Sequence, residues 1–280
     1  MSKRHHSKIR GALRDLKSHR RLRSALLAAM AAVAALALPA HAVECSARSS
    51  SHRVALLELY TSEGCSSCPP ADRWLGALRD RGVREDQTVA LAFHVDYWDY
   101  IGWKDRFAQP AFAARQRLVA ARNDASFIYT PQFVLDGRDL RRPWLPGTLD
   151  KRLAAINRAD ANFDISATLE VDRAQAALSV HARNNDRDKA RFFVALYENG
   201  LSTEVKAGEN AGKRLYHQFV VRVLEGPLIV EPGVSLEQQY RFDLSAYPRR
   251  ANLGIALFAE NGTSGNTMQA MALPVCTESR

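Results

Sequence analysis

A chain of 280 residues with 39 Lys and Arg against 30 Asp and Glu carries a formal net charge of +9. Nine of those bases and one acid, Asp15, fall within residues 1–42, which leaves 30 bases and 29 acids for the rest. A remainder so close to neutral has no electrostatic case for a nucleic-acid partner, and its length of about 238 residues suits one or two domains with an ample core.

The first segment reads as a secretory leader. A basic region runs to Arg23, an apolar stretch covers Ala25 to Leu38, and Ala40-His41-Ala42 is a small-x-small cleavage site. The apolar stretch is 14 residues, short of the roughly 20 needed to span a bilayer. Residues 1–42 are therefore expected to be a signal peptide, and the protein to be periplasmic or secreted with no stable membrane anchor after cleavage. Arg20-Arg21 leaves a twin-arginine route open, although general secretion is favoured. Glu44 excludes a lipoprotein, because a small residue would have to precede the lipidated Cys45.

Four cysteines remain, at 45, 65, 68 and 276. An exported chain keeps disulfides, so an even number is read as pairs, and four cysteines allow three connectivities. If Cys65 and Cys68 form the local pair, Cys45 joins Cys276 in a structural disulfide that ties the first ordered residues to the last.

In chain order, Val54 to Tyr60 reads as a strand. Asp72 to Arg81, with Trp74, Leu75 and Leu78 on one face, reads as a helix, and Thr88 to Val95 as a strongly apolar strand. The aromatic tract from His94 to Trp103 follows, with His94 and Trp98 as candidate substrate-lining residues. Pro110 opens a helix to about Arg122, Pro131 to Asp136 is a strand, Asp136-Gly137 is a hairpin turn, and Thr148 caps a helix through Asn157. Beyond Asn162 the helical period gives way to strict alternation, as in Phe163, Ile165, Ala167, Leu169 and Val171, which predicts an antiparallel sandwich. The composition shift puts a boundary near residue 160, giving domains 43–160 and 161–280.

Cys65-Ser66-Ser67-Cys68 lies at the seam between the first strand and the first helix. Unpaired N–H groups and the positive dipole end at a helix start favour thiolate, which makes Cys65 the better nucleophile. The competing readings are half of a zinc site, which lacks a second C-x-x-C, an inert disulfide, and a Cu(I) site or metallochaperone using Cys65, Cys68 and His94. A non-catalytic binding module is a further alternative. Gly208 to Lys213 superficially suggests a phosphate loop, but it is one residue short and has no Ser or Thr after the lysine, so it reads as a hairpin loop.

Strand, C-x-x-C, helix and a later strand opened by Thr130-Pro131 resemble the thioredoxin superfamily. More narrowly, Leu59 to Asp72, Phe93 to Tyr100 and Tyr129 to Gln132 resemble a secreted bacterial family known as domain-of-unknown-function family 1223. The resemblance implies an α/β thioredoxin-like domain followed by an all-β antiparallel sandwich. It makes Cys65 the exposed attacking thiol, Cys68 the buried resolving thiol and Pro131 a cis-proline facing them, with the Thr130 backbone open to an extended substrate. Glu58 is the proton-shuttle candidate for Cys68, though it stands one residue further from the cysteines than the superfamily's buried acid, an offset that reverses faces on an unbulged strand. Gly64 replaces the tryptophan that thioredoxin carries before its first cysteine. The implied activity is thiol-disulfide exchange on protein or small thiol substrates, served by an unidentified redox partner. No organic cofactor and no metal are required, since the two sulfurs carry the electrons.

Overall fold

The computed structural model describes residues 43–172 and 174–277. The leader expected over residues 1–42 lies outside them. Among the described residues no helix is long and apolar enough to cross a membrane.

Strands dominate. In chain order they are β1 (Val43–Arg48), β2 (Ala55–Thr61), β3 (Thr88–His94), β4 (Gln132–Leu135), β5 (Arg138–Asp139), β6 (Phe163–Val171), β7 (Gln175–Asn184), β8 (Ala190–Glu198), β9 (Leu201–Glu204), β10 (Arg214–His217), β11 (Val220–Val230), β12 (Ser235–Asp243), β13 (Leu253–Asn261) and β14 (Thr267–Pro274). The α-helices are α1 (Pro69–Gly76), α2 (Pro110–Arg122) and α3 (Thr148–Ile156). Helix α2 coincides with its sequence-predicted span. Helix α1 begins earlier because Cys68 is its N-cap and prolines, whose missing N–H groups need no partner there, open its first turn. Gly147, not Thr148, is the N-cap of α3.

An eight-stranded sheet has the order β14-β13-β8-β11-β3-β2-β4-β5, beside a four-stranded sheet β1-β6-β7-β12 and a two-stranded ribbon β10-β9. Within the large sheet, β2 runs parallel to β3 and β11 meets β3 in parallel, while the other pairs are antiparallel. This overturns the expected fold class. An α/β thioredoxin-like domain followed by a separate sandwich does not form: β8, β11, β13 and β14, all beyond residue 160, continue the sheet that β2 to β5 begin. The described residues make one compact unit.

Three apolar layers hold it together. One face of the large sheet packs Leu56, Tyr60, Phe93, Phe193 and Phe258 with Phe112 of α2. The opposite face is divided, with Leu57 and Leu59 covered by Trp74 and Leu75 of α1 and Leu153 of α3. Further along that face, Phe192, Val194 and Leu257 meet Phe163, Ile165 and Leu178 of the four-stranded sheet. Strand β8 is buried on both faces, which explains its near-continuous apolar run, Phe192 to Tyr197.

Candidate functional site

The C-terminal ends of the parallel pair β2 and β3 lead into the site. Thr61 and His94, their last residues, are register partners. Cys65 and Cys68 are joined in a disulfide at the start of α1, and Cys45 is joined to Cys276. Cys68 O accepts from the N–H groups of Ala71 and Asp72, which closes the first helical turn.

The exposed attacking thiol is corrected by the structure: Cys65 is 1% exposed and Cys68 0%, although Ser66 and Ser67 between them are exposed. The loop from Val205 to Lys213, between β9 and β10, is bonded to this turn. Asn210 Nδ2 donates to Glu63 O and Cys65 O, both at 2.9 Å, and Ser66 N donates to Glu209 Oε2 at 3.2 Å. The loop presses on the aromatic tract through Gly208, whose φ of +72° suits glycine and where a Cβ would stand 3.1 Å from Trp103 Cβ. The sequence that mimics a phosphate loop is thus a clasp over the C-x-x-C turn.

Trp98 explains Gly64. A Cβ on Gly64 would lie 3.1 Å from Trp98 Cβ and 3.2 Å from Trp98 O, so the tryptophan backbone takes the space a larger residue would fill. Its indole Nε1 donates to Thr130 Oγ1 at 2.7 Å, linking the cysteine turn to the Thr130-Pro131 corner, whose peptide bond is cis. Beyond Pro131 an apolar groove of about 350 Å³ is lined by Phe127, Tyr129, Phe133, Pro143 and Trp144 among others.

Two other expectations are corrected. Glu58 is no proton acceptor for Cys68. Side chains alternate on β2, so Thr61 faces Asp72 of α1 while Glu58 shares the opposite face with Tyr60, bonded to Arg115 Nε at 2.7 Å. Burial pushes the Glu58 carboxyl up, against the pull of the Arg115 guanidinium. His94 does not line an open surface either, because it is fully buried between Phe107 and His217.

Sequence reasoning missed what His94 joins. Its Nδ1 lies 2.6 Å from Asp105 Oδ2, and His217 Nε2 lies 3.2 Å from Glu63 Oε1. Glu63 also accepts from Trp103 Nε1 and its N–H donates to Asp105, so the two carboxylates form one network. Burial lowers the His94 imidazole, but the Asp105 carboxylate outweighs it and the net direction is up. Burial raises Asp105, but the His94 ring holds it below the usual carboxylate range. Asp72, accepting from Thr61 Oγ1 at 3.1 Å, is pushed up by burial. Asp72 follows Cys68 by one helical turn and Glu63 precedes Cys65 by two residues, which is the available sequence signal. His217 and Asn210 arrive from far along the chain.

The fold and site define a class: a β-rich disulfide protein with a mixed central sheet and a buried C-x-x-C turn. The family model described as "Protein of unknown function (DUF1223)" matches residues 56–259, and the chain belongs to that family. Among solved structures it is similar to protein AGR_C_4864 from Agrobacterium tumefaciens, at 24% identity and a TM-score of 0.60, covering 82% of this chain and 98% of that one. It is also similar to HBP35 of Porphyromonas gingivalis, at 13% identity and a TM-score of 0.58, covering 83% and 80% respectively. At these identities the likeness concerns the fold alone. No curated protein matches the chain.

Proposed function

We propose that the protein is an exported thiol-disulfide oxidoreductase working through Cys65 and Cys68. The observation that carries this reading is the disulfide at the first turn of α1, where the positive end of the helix dipole favours the thiolate released when the bond is cleaved. In the oxidising direction, a thiolate of a substrate dithiol attacks Cys65 Sγ and the Cys65–Cys68 electron pair leaves on Cys68. The second substrate thiolate then attacks the substrate sulfur of the mixed disulfide and releases Cys65. The substrate loses two electrons and two protons, which the cysteine pair gains; reduction is the reverse.

Both cysteines are buried, so exchange requires the clasp to lift. Asn210 holds it with two hydrogen bonds to backbone carbonyls of the turn. Asn210→Ala should therefore speed reduction of Cys65–Cys68 by dithiothreitol on the order of tenfold, read by timed alkylation and mass spectrometry. An unchanged rate would show that the loop does not control access. The apolar groove beyond Pro131 suits an unfolded polypeptide better than a small thiol.

The decisive test is Cys68→Ser expressed in the exporting host. Cys65 should then accumulate mixed disulfides with partners that disappear on reduction. If none form, and the parent lacks insulin-reductase and refolding activity, the pair is a static disulfide and the protein a binding module. The Cu(I) reading with Cys65, Cys68 and His94 gains no support, because His94 groups with Asp72 and His217 and not with either cysteine.

A further inference from the structure

We propose that Asp72, His94 and His217 bind a first-row divalent transition-metal ion, in a site beneath α1 that uses neither cysteine. The three come from α1, β3 and β10, and an Asp72 carboxylate oxygen and one nitrogen of each imidazole all lie within 4.8 Å of one another. All three residues are buried: Asp72 is 7% exposed, His94 0% and His217 2%.

The hydrogen bonds of this cluster set it apart from an ordinary buried polar network. His94 uses Nδ1 on Asp105, and His217 uses Nε2 on Glu63. A neutral imidazole donating from one nitrogen presents a lone pair at the other. The remaining atoms, His94 Nε2 and His217 Nδ1, are buried and have no hydrogen-bond partner among the described residues. The two unpartnered nitrogens thus belong to the same pair of imidazoles that come together with the Asp72 carboxylate. Protons do not resolve this, since a proton on either nitrogen would be a buried donor without an acceptor at bonding distance. A cation does, and it would also offset Asp72 together with Glu63 and Asp105, whose described ion pairs are with the two histidines alone.

The donor set selects the ion. Two nitrogens and one oxygen suit Zn²⁺ or Fe²⁺, whereas Mg²⁺ and Ca²⁺ favour all-oxygen sites and Cu(I) favours sulfur. A carboxylate behind each metal-facing imidazole fixes the tautomer and strengthens the ligand. Phe107, whose ring centroid lies 5.3 Å from that of His94 and 5.7 Å from that of His217, keeps the pocket apolar on one side.

The test uses the exported chain with its disulfides intact. After treatment with a strong chelator, titration with Zn²⁺ and with Co²⁺ should reach one ion per chain, Co²⁺ giving visible ligand-field absorption, while Mg²⁺ and Ca²⁺ should not compete. Asp72→Asn, which preserves shape, should weaken Co²⁺ binding at least tenfold, His217→Ala more, and Glu63→Gln about 10–100-fold. A Cys65→Ser, Cys68→Ser double variant should bind as the parent does, so this inference and the exchange reading can fail separately. Failure of the parent to take up either ion overturns the proposal, as does unchanged affinity in Asp72→Asn and His217→Ala.

Discussion

Arg115→Met is expected to lower stability by about 3–5 kcal/mol, the largest loss foreseen for a single substitution away from the site. Arg115 projects from α2 into the core, where its guanidinium bonds Glu58 at 2.7 Å and also Glu260. Its carbon Cζ lies 5.5, 4.9 and 5.1 Å from the ring centroids of Phe93, Phe193 and Phe258. Those rings come from β3, β8 and β13, so one side chain ties the helix to three strands of the large sheet. Methionine would fill much of the volume but leave Glu58 buried with only the Tyr60 hydroxyl as partner. Glu260 would keep longer contacts to Arg122 and Arg191, at 3.4 and 3.9 Å. Arg115→Lys should cost less, because it keeps the charge while losing the planar fork and the ring stacking. Differential scanning calorimetry should show a fall on the order of 10 °C for Arg115→Met. A loss under about 1 kcal/mol would mean that the other arginines suffice for Glu260 and that Glu58 takes up a proton at little cost.

Replacing Cys45 and Cys276 together by serine should cost roughly 2–5 kcal/mol. The bond closes a separation of 231 residues, so its loss frees most of the unfolded chain. It also acts on the folded side. β1 is an edge strand of the four-stranded sheet and β14 an edge strand of the eight-stranded one, and Cys45 and Cys276 pack partly buried on the core between them. The bond therefore clips two sheet edges that share no backbone hydrogen bonds. Urea titration should give a lower midpoint and a steeper slope, because an uncrosslinked denatured chain exposes more surface. An unchanged midpoint would show that pairing of β1 with β6 and the core contacts already hold that edge.

Local features were legible from the chain because local forces make them. Pro110 sets the start of α2, and Asp136-Gly137 forms its turn with both residues at positive φ. The alternation from Phe163 to Val171 appears as alternating burial along β6. Cys65 and Cys68, three residues apart, form the local disulfide, and the distant pair Cys45–Cys276 follows as the remaining two cysteines.

Sheet membership was not legible, and the failure of the two-domain fold class follows from that. Alternation tells which side chains point inward but not which strand lies alongside, and a strand buried on both faces fits several neighbours equally well. The contact of β11 with β3, which carries the large sheet past residue 160, is a long-range choice made by complementary faces. The same choice brings His217 and Asn210 to the cysteine turn.

By itself the sequence determined the strand and helix segments, the oxidisable cysteine turn at a helix start and the family, since each depends on residues close together in the chain or on a run of identities. Only the tertiary structure decided that Asn210 bonds the Cys65 carbonyl, that Glu58 serves Arg115, and that Asp72, His94 and His217 come together. Those outcomes depend on which distant surfaces exclude water together, a condition that no stretch of neighbouring residues encodes.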